Sequence, residues 1–263
     1  MPRLSSWVLL LWITSMAGCS GSSTGTPGGA VAVRAFARTS DKPPYPREKG
    51  TASIKGQITL KGQAPVMEKI DLKTDPVCAA MHQEKGLYNQ SILVGDHSEI
   101  QNVLVYISKG LEAYSFEVPE KPFELSQKEC QFVPRVFGML NGQVLKANNL
   151  DATFHNVRSK SALNPFNLLS AQGSFDSCVI AKPEGPVTFV CDVHHWMRAH
   201  CVVLTHPFFD VTGPFGKFEL KGLLPGEYTL TIWHEALGTQ SLTIKIGDKE
   251  EKIQDFTLEV SAK

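Results

Sequence analysis

The sequence has no surplus of charge: 26 Lys and Arg balance 26 Asp and Glu over 263 residues, and no long run of either sign occurs. Phosphate backbones and acidic surfaces attract clustered basic residues, so no nucleic-acid partner is expected. Apolar runs long enough for a mature spanning helix are missing. Long amphipathic helical patterns are absent, as are paired-carboxylate, nucleophile-elbow and phosphate-loop signals, and no extra histidine cluster stands ready for oxygen or nitrite chemistry. These absences argue against an enzyme. Cysteine is sparse, six in all, at positions 19, 78, 130, 178, 191 and 201. What is present is 42% hydrophobic content, ample for a packed core, in a length that suits one large or two modest domains.

The amino terminus reads as a targeting segment. Arg3 supplies positive charge, residues 7–14 are apolar, and the small residues Ala17 and Gly18 precede Cys19. This resembles the lipobox of bacterial lipoproteins, with Met16 where Leu is more usual. The resemblance implies a signal peptide over 1–18, a lipidated Cys19 and an extracytoplasmic, membrane-anchored chain; an ordinary secretory leader also implies export. Residues 19–50 are rich in Ser, Gly, Thr and Pro and read as a flexible linker. At about 5–6 Å times the square root of ~30 residues, such a tether reaches roughly 30 Å.

From residue 51 onward, short alternating or apolar runs are broken by Gly, Pro and Asn, which predicts an antiparallel all-β architecture. Strands are expected at 53–60, 102–107, 144–147, 187–191, 201–204, 217–220, 228–233, 241–246 and 256–260, with one helical turn near 76–84. The stretch "VTGPFGKFELKGLLPGEYTLTIWHEALG" resembles the carboxypeptidase regulatory-like, or transthyretin-like, β-sandwich, and "IKGQITLKGQAP" with "NVLVYIS" looks like its missing first strands. The expected organisation is therefore a split sandwich of 51–118 plus 207–260 around a second domain at 119–206; two consecutive small domains are the alternative.

Within 119–206, His155 is followed by Cys191, His194 and Met197, the last three inside a seven-residue loop after the strand-like "VTFVC". Copper alternates between a one-plus state that favours soft thiolate and thioether donors and a two-plus state that favours imidazole, and two His, one Cys and a weak axial Met suit both. Zinc prefers a tetrahedral set without a thioether. The C-x2-H-x2-M loop, the "HNV" at the first histidine and the strand "MRAHCVVL" resemble the cupredoxin family, most closely its amicyanin branch. That resemblance implies a Greek-key β-sandwich with one Cu(I)/Cu(II) ion on His155, Cys191, His194 and Met197, and a loop-linking role for Asn156. His195 and Trp196 depart from the smaller or Pro-containing loop of relatives.

Four protein ligands leave no open coordination position, so the expected activity is single-electron transfer to a redox partner protein such as a cytochrome or dehydrogenase. The His194 imidazole, on a short loop, is the expected electron exit. Copper storage or delivery, and a metal-free envelope interaction module, are the competing classes. Beyond Cys19 and Cys191, four cysteines remain, and an oxidising compartment permits three pairings of Cys78, Cys130, Cys178 and Cys201; a Cys178–Cys201 bridge would leave Cys78–Cys130 to tie the inserted domain to its host, while free buried thiols suit Cys178 and Cys201 equally. Phe166, Pro165 and Trp196 are read as an apolar rim for a docking partner, with core packing as the other reading of the first two. The pair His234-Glu235 is expected to serve a structural hydrogen bond.

Overall fold

A computed structural model describes residues 34–260; the expected leader and the lipidation position Cys19 lie outside the described residues. Two strands come first, β1 (Ala52–Lys61) and β2 (Leu104–Lys109), separated by a segment that carries one short helix, α1 (Pro76–Met81). Nine follow: β3 (Phe123–Lys128), β4 (Gln131–Val133), β5 (Val136–Leu140), β6 (Val144–Asn149), β7 (His155–Ser159), β8 (Asn167–Ser170), β9 (Phe175–Val179), β10 (Glu184–Val190) and β11 (Arg198–Leu204). The last six are β12 (Phe209–Val211), β13 (Lys217–Leu223), β14 (Gly226–His234), β15 (Gly238–Ile246), β16 (Glu251–Ile253) and β17 (Phe256–Glu259).

The chain is all-β, as its pattern predicts, and its strands form four sheets. In the first, β1 lies between β13 on one side and β16 and β17 on the other; the second has the order β12-β2-β14-β15. Both draw on strands before and after the β3–β11 stretch, whose own strands form a third sheet, β5-β11-β10-β7-β8, and a fourth, β4-β3-β6-β9.

Alternation along the strands explains how the sheets stack. On β2, Val105 and Ile107 face a core shared with Ile54, Ile58, Leu230 and Ile232, while Leu104 and Tyr106 face the other way. There Leu104 meets Val136, Val202 and Leu204 of β5 and β11. The opposite face of those strands supplies Phe137, Met139, Cys201 and Val203 to a third core with Leu125, Leu145 and Phe189. A period of two thus places each central sheet between two apolar layers. Burying each such side chain contributes roughly 1.5–3 kcal/mol.

Several expectations change. Three of the four sheets are mixed, for β1 runs parallel to β16 and β17, β3 to β6, and β5 to β11, while β12-β2-β14-β15 is antiparallel throughout. Strand periodicity reports burial and says nothing of a partner's direction, which the connections between sheets decide. The expected linker ends before residue 50. Thr39 exchanges hydrogen bonds with the Phe116 backbone, and buried Tyr45 stacks on Phe116 while its hydroxyl donates to the Gly222 carbonyl. Tyr45 is an anchor that the Ser, Gly and Pro around it conceal.

Candidate metal centre

Three neighbouring strands of the third sheet position the predicted residues. His155 opens β7, Cys191 follows β10, and Met197 immediately precedes β11. Antiparallel pairing of β10 with both neighbours brings these ends to one edge of the sandwich. The connecting loop is folded on itself, for the Met197 N–H donates to the His194 carbonyl at 2.9 Å and the Cys191 N–H to the Met197 carbonyl at 3.4 Å. Asn156 fastens it to β7: its Oδ1 accepts from the Asp192 N–H at 2.7 Å, and its Nδ2 donates to the Asp192 carboxylate at 2.8 Å. Arg158 holds the same carboxylate through Nε at 2.8 Å and, with Asn156, lowers its pKa to about 2.

His155, Cys191 and His194 converge as a buried group whose donor atoms all lie within 4.8 Å of one another. The two Nδ1 atoms are 2.9 Å apart, and the Cys191 Sγ lies 3.9 Å from that of His194. Met197, 1% exposed, belongs to the same apolar cluster as Cys191. Burial raises the Cys191 pKa, but hydrogen bonds from His155 and His194 and from the Asn156 and His194 backbone outweigh it and bring the thiol to about 6. The sulfur is thus largely thiolate at neutral pH, the form that ligates metal.

The far nitrogens reveal two residues that the sequence reading missed. His155 Nε2 donates to Asp151 at 2.9 Å, and His194 Nε2 donates to Asp75 at 2.7 Å. Burial raises both carboxyl pKa values, but the hydrogen bonds they accept lower them further, so both groups are ionised and can only accept. Each imidazole therefore keeps a proton on Nε2 and turns its Nδ1 inward, toward the other ring and the Cys191 sulfur. A proton shared among the two Nδ1 atoms and the sulfur keeps them in hydrogen-bond contact, and a metal ion displacing it would meet two imidazole nitrogens and a thiolate. The donor set fits a metal ion of borderline softness.

Two further groups, Asp75 with Cys78 and His194, and Cys130 with Asp151 and His155, lie at similar spacing. Cys78 and Cys130 are joined in a disulfide, so their sulfurs offer no thiolate. A Cys178–Cys201 bridge does not form: Cys201 is a free buried thiol on the third sheet, whereas Cys178 lies across the core on the fourth.

Other expectations are corrected here. His194 is 1% exposed, covered by Asp75, and is no surface exit. Phe166 is packed in the core against Phe189. Trp196 is half-buried, donates from Nε1 to the Cys130 carbonyl at 3.1 Å and packs beside Leu72 and Leu87. The remaining buried histidines serve the framework: His206 bonds to the Ile107 carbonyl, His200 to Glu235, and His234 accepts from the Ala236 and Leu237 backbone. Asp75 was legible only as a helix cap before Pro76, and Asp151 only as a residue four before His155; neither spacing has a metal signature.

No protein-family model matches the chain, and no curated protein sequence does. Among solved structures, a copper-containing nitrite reductase from Thermus scotoductus SA-01 aligns with a TM-score of 0.30 and 17% identity, over 35% of this chain and 24% of its own. The chain thus spans about a quarter of that relative. A Cu(I) form of an amicyanin mutant aligns with a TM-score of 0.30 and 18% identity, over 34% of this chain and 87% of its own. The reduced form of a second amicyanin mutant gives the same values.

Proposed function

We propose that this chain holds one copper ion on His155, Cys191, His194 and Met197 and carries single electrons between extracytoplasmic redox partners. The observation behind the reading is the inward convergence of two imidazole Nδ1 atoms on a buried cysteine whose pKa is about 6, with Met197 buried in the same cluster. Copper on such a set supplies a one-electron couple for which both oxidation states find acceptable donors.

The residues divide the work. Cys191 provides the thiolate, and its position directly after β10 gives it a backbone fixed by pairing on two sides. Asn156 keeps the ligand loop registered on β7. Asp151 and Asp75 orient the imidazoles, so little has to move when charge changes. With both histidines buried, contact with a partner falls to the exposed apolar side chains beside them: Phe154 precedes His155, Val193 precedes His194, and Leu169 pairs across from Asn156. Small apolar patches of this kind suit brief docking. The export signal and lipidated Cys19 belong to this reading and place the carrier at a bacterial membrane through its lipid.

The test is reconstitution of the full chain with copper(II). One equivalent should bind and produce an intense visible thiolate-to-copper band, and Cys191→Ser should lose the band and most of the affinity. A colourless wild type that takes up no copper refutes the reading. Fast electron exchange combined with slow copper loss to a chelator separates a carrier from a storage or delivery protein.

A further inference from the structure

We infer that Asp75 is the positioning residue for the His194 imidazole, and that a disulfide-anchored cap, residues 66–90, delivers it and closes the centre. This rests on the copper reading above.

The two orienting carboxylates have different origins. Asp151 lies four residues from His155 and arrives with its own loop. Asp75 is 119 positions from His194 and comes from the segment between β1 and β2, which belongs to neither sheet of the metal sandwich. That segment is folded for the purpose. Its two flanks meet where the Ile70 N–H donates to the Leu87 carbonyl at 2.8 Å and the Asn89 N–H to the Glu68 carbonyl at 2.9 Å. Leu72, Leu87 and Cys78 form a small core of their own that also takes in Cys130 and the flank of Trp196.

The disulfide ties the two carboxylates together. The Asp75 Oδ1 accepts from the Val77 and Cys78 N–H groups at 2.8 and 2.9 Å, which leaves Oδ2 for His194. Across the Cys78–Cys130 bond, the Cys130 N–H donates to Asp151 Oδ2 at 2.8 Å, and that same oxygen accepts from His155. Each disulfide residue thus holds, through its backbone N–H, the carboxylate that holds one imidazole. His82 adds a third tie, donating to the Glu129 carbonyl at 2.8 Å.

The consequence is kinetic. An imidazole on a seven-residue loop turns away from a metal by rotation about its side-chain torsions, and an entering ligand reaches the ion through the gap. With Nε2 fastened to Asp75, that rotation requires breaking a charge-assisted hydrogen bond between groups that are 1% and 14% exposed. Copper exchange then waits for the cap to open.

Asp75→Asn tests this without removing the helix cap, because the amide oxygen still accepts from Val77 and Cys78 while the amide NH2 faces the His194 N–H, donor against donor. The full chain, loaded with one equivalent of copper and challenged with excess bathocuproine disulfonate under ascorbate, is followed by the rate of copper transfer and by the visible band. We expect transfer 10- to 100-fold faster than wild type and a shifted band. Cys78→Ser with Cys130→Ser should reproduce the faster transfer. In metal-free wild type, the His194 imidazole N–H should give a slowly exchanging NMR signal that Asp75→Asn removes. Wild-type transfer rate and spectrum in both variants overturn the cap alone; absence of copper uptake by wild type overturns the copper reading, and the NMR signal still decides whether Asp75 positions His194.

Discussion

Two cysteines ten positions apart in the same sandwich are chemically unlike. Hydrogen bonds hold Cys191 near a pKa of about 6, whereas complete burial among apolar neighbours pushes Cys201 well above the ordinary thiol value. His155, Cys191, His194 and Met197 were legible in the sequence as a candidate set because softness and spacing are properties of residue types. Asp75 and Asp151 were not, because what they do depends on where a fold carries them. A second residue-scale contrast lies in the histidines. His206 donates from Nε2 to the Ile107 carbonyl and accepts at Nδ1 from the Phe208 N–H, a pattern that only the neutral ring satisfies. Burial lowers its pKa from 6.5 to about 4. Between those values the unfolded chain binds the extra proton, so stability rises with pH there; the contribution of His206 is complete above pH 6.5 and drains away as pH falls toward 4. At about 1.4 kcal/mol per pH unit, roughly 2 kcal/mol goes between pH 6.5 and 5. His206→Gln can keep the hydrogen bond to Ile107 without titrating. Urea unfolding of the metal-free chain should therefore show the stability gap between wild type and this variant shifting by about 2 kcal/mol in the variant's favour across that interval.

At the scale of elements, long alternating strands such as β14 and β15 were legible, since nine consecutive residues pair in register. The short strands of the β3–β11 sandwich were harder. β5 is buried at all five positions and so shows no alternation, and β7 reads "HNVRS", whose polar residues serve the candidate site and its loop bonds over strand propensity. β5 also contains a tight fit between sheets. A Cβ on Gly138 would lie 2.5 Å from the Phe209 ring, so the absent side chain is what lets β12 cross β5. An aromatic ring packed between two sheets cannot give way as a lysine tip can. Gly138→Ala should cost about 1–3 kcal/mol through forced displacement of the ring or the strand. A shift of the urea midpoint at constant slope would register it; an unchanged midpoint would mean that the layers slide freely.

At the scale of the whole molecule, the stacking of four sheets makes the β3–β11 sandwich depend on the sheets built from the flanking strands. The shared layer of Leu104, Val136, Val202 and Leu204 is capped by a charged bolt: Arg135 Nε meets Glu235 Oε1 at 2.5 Å and its Nη2 meets Oε2 at 2.7 Å, while His200 Nε2 approaches Oε2 at 3.2 Å. Arg135 enters β5 and Glu235 leaves β14, so the pair joins the two sandwiches, and neither side chain is more than 13% exposed. Burial raises the Glu235 pKa, yet hydrogen bonds from His200 and Arg135 bring it to about 2, which keeps the bolt charged through the physiological range. A pair taken out of water repays its desolvation only while both members are present. Glu235→Gln should therefore cost about 3–5 kcal/mol by stranding a buried guanidinium, whereas Arg135→Met combined with Glu235→Leu should recover most of the loss. Denaturant unfolding of Arg135→Met, Glu235→Leu and the double variant measures the coupling. Additive losses would mean that the ions act independently and that apolar contact alone holds the sandwiches together; recovery in the double variant would show that the bolt sets their registration more than their stability.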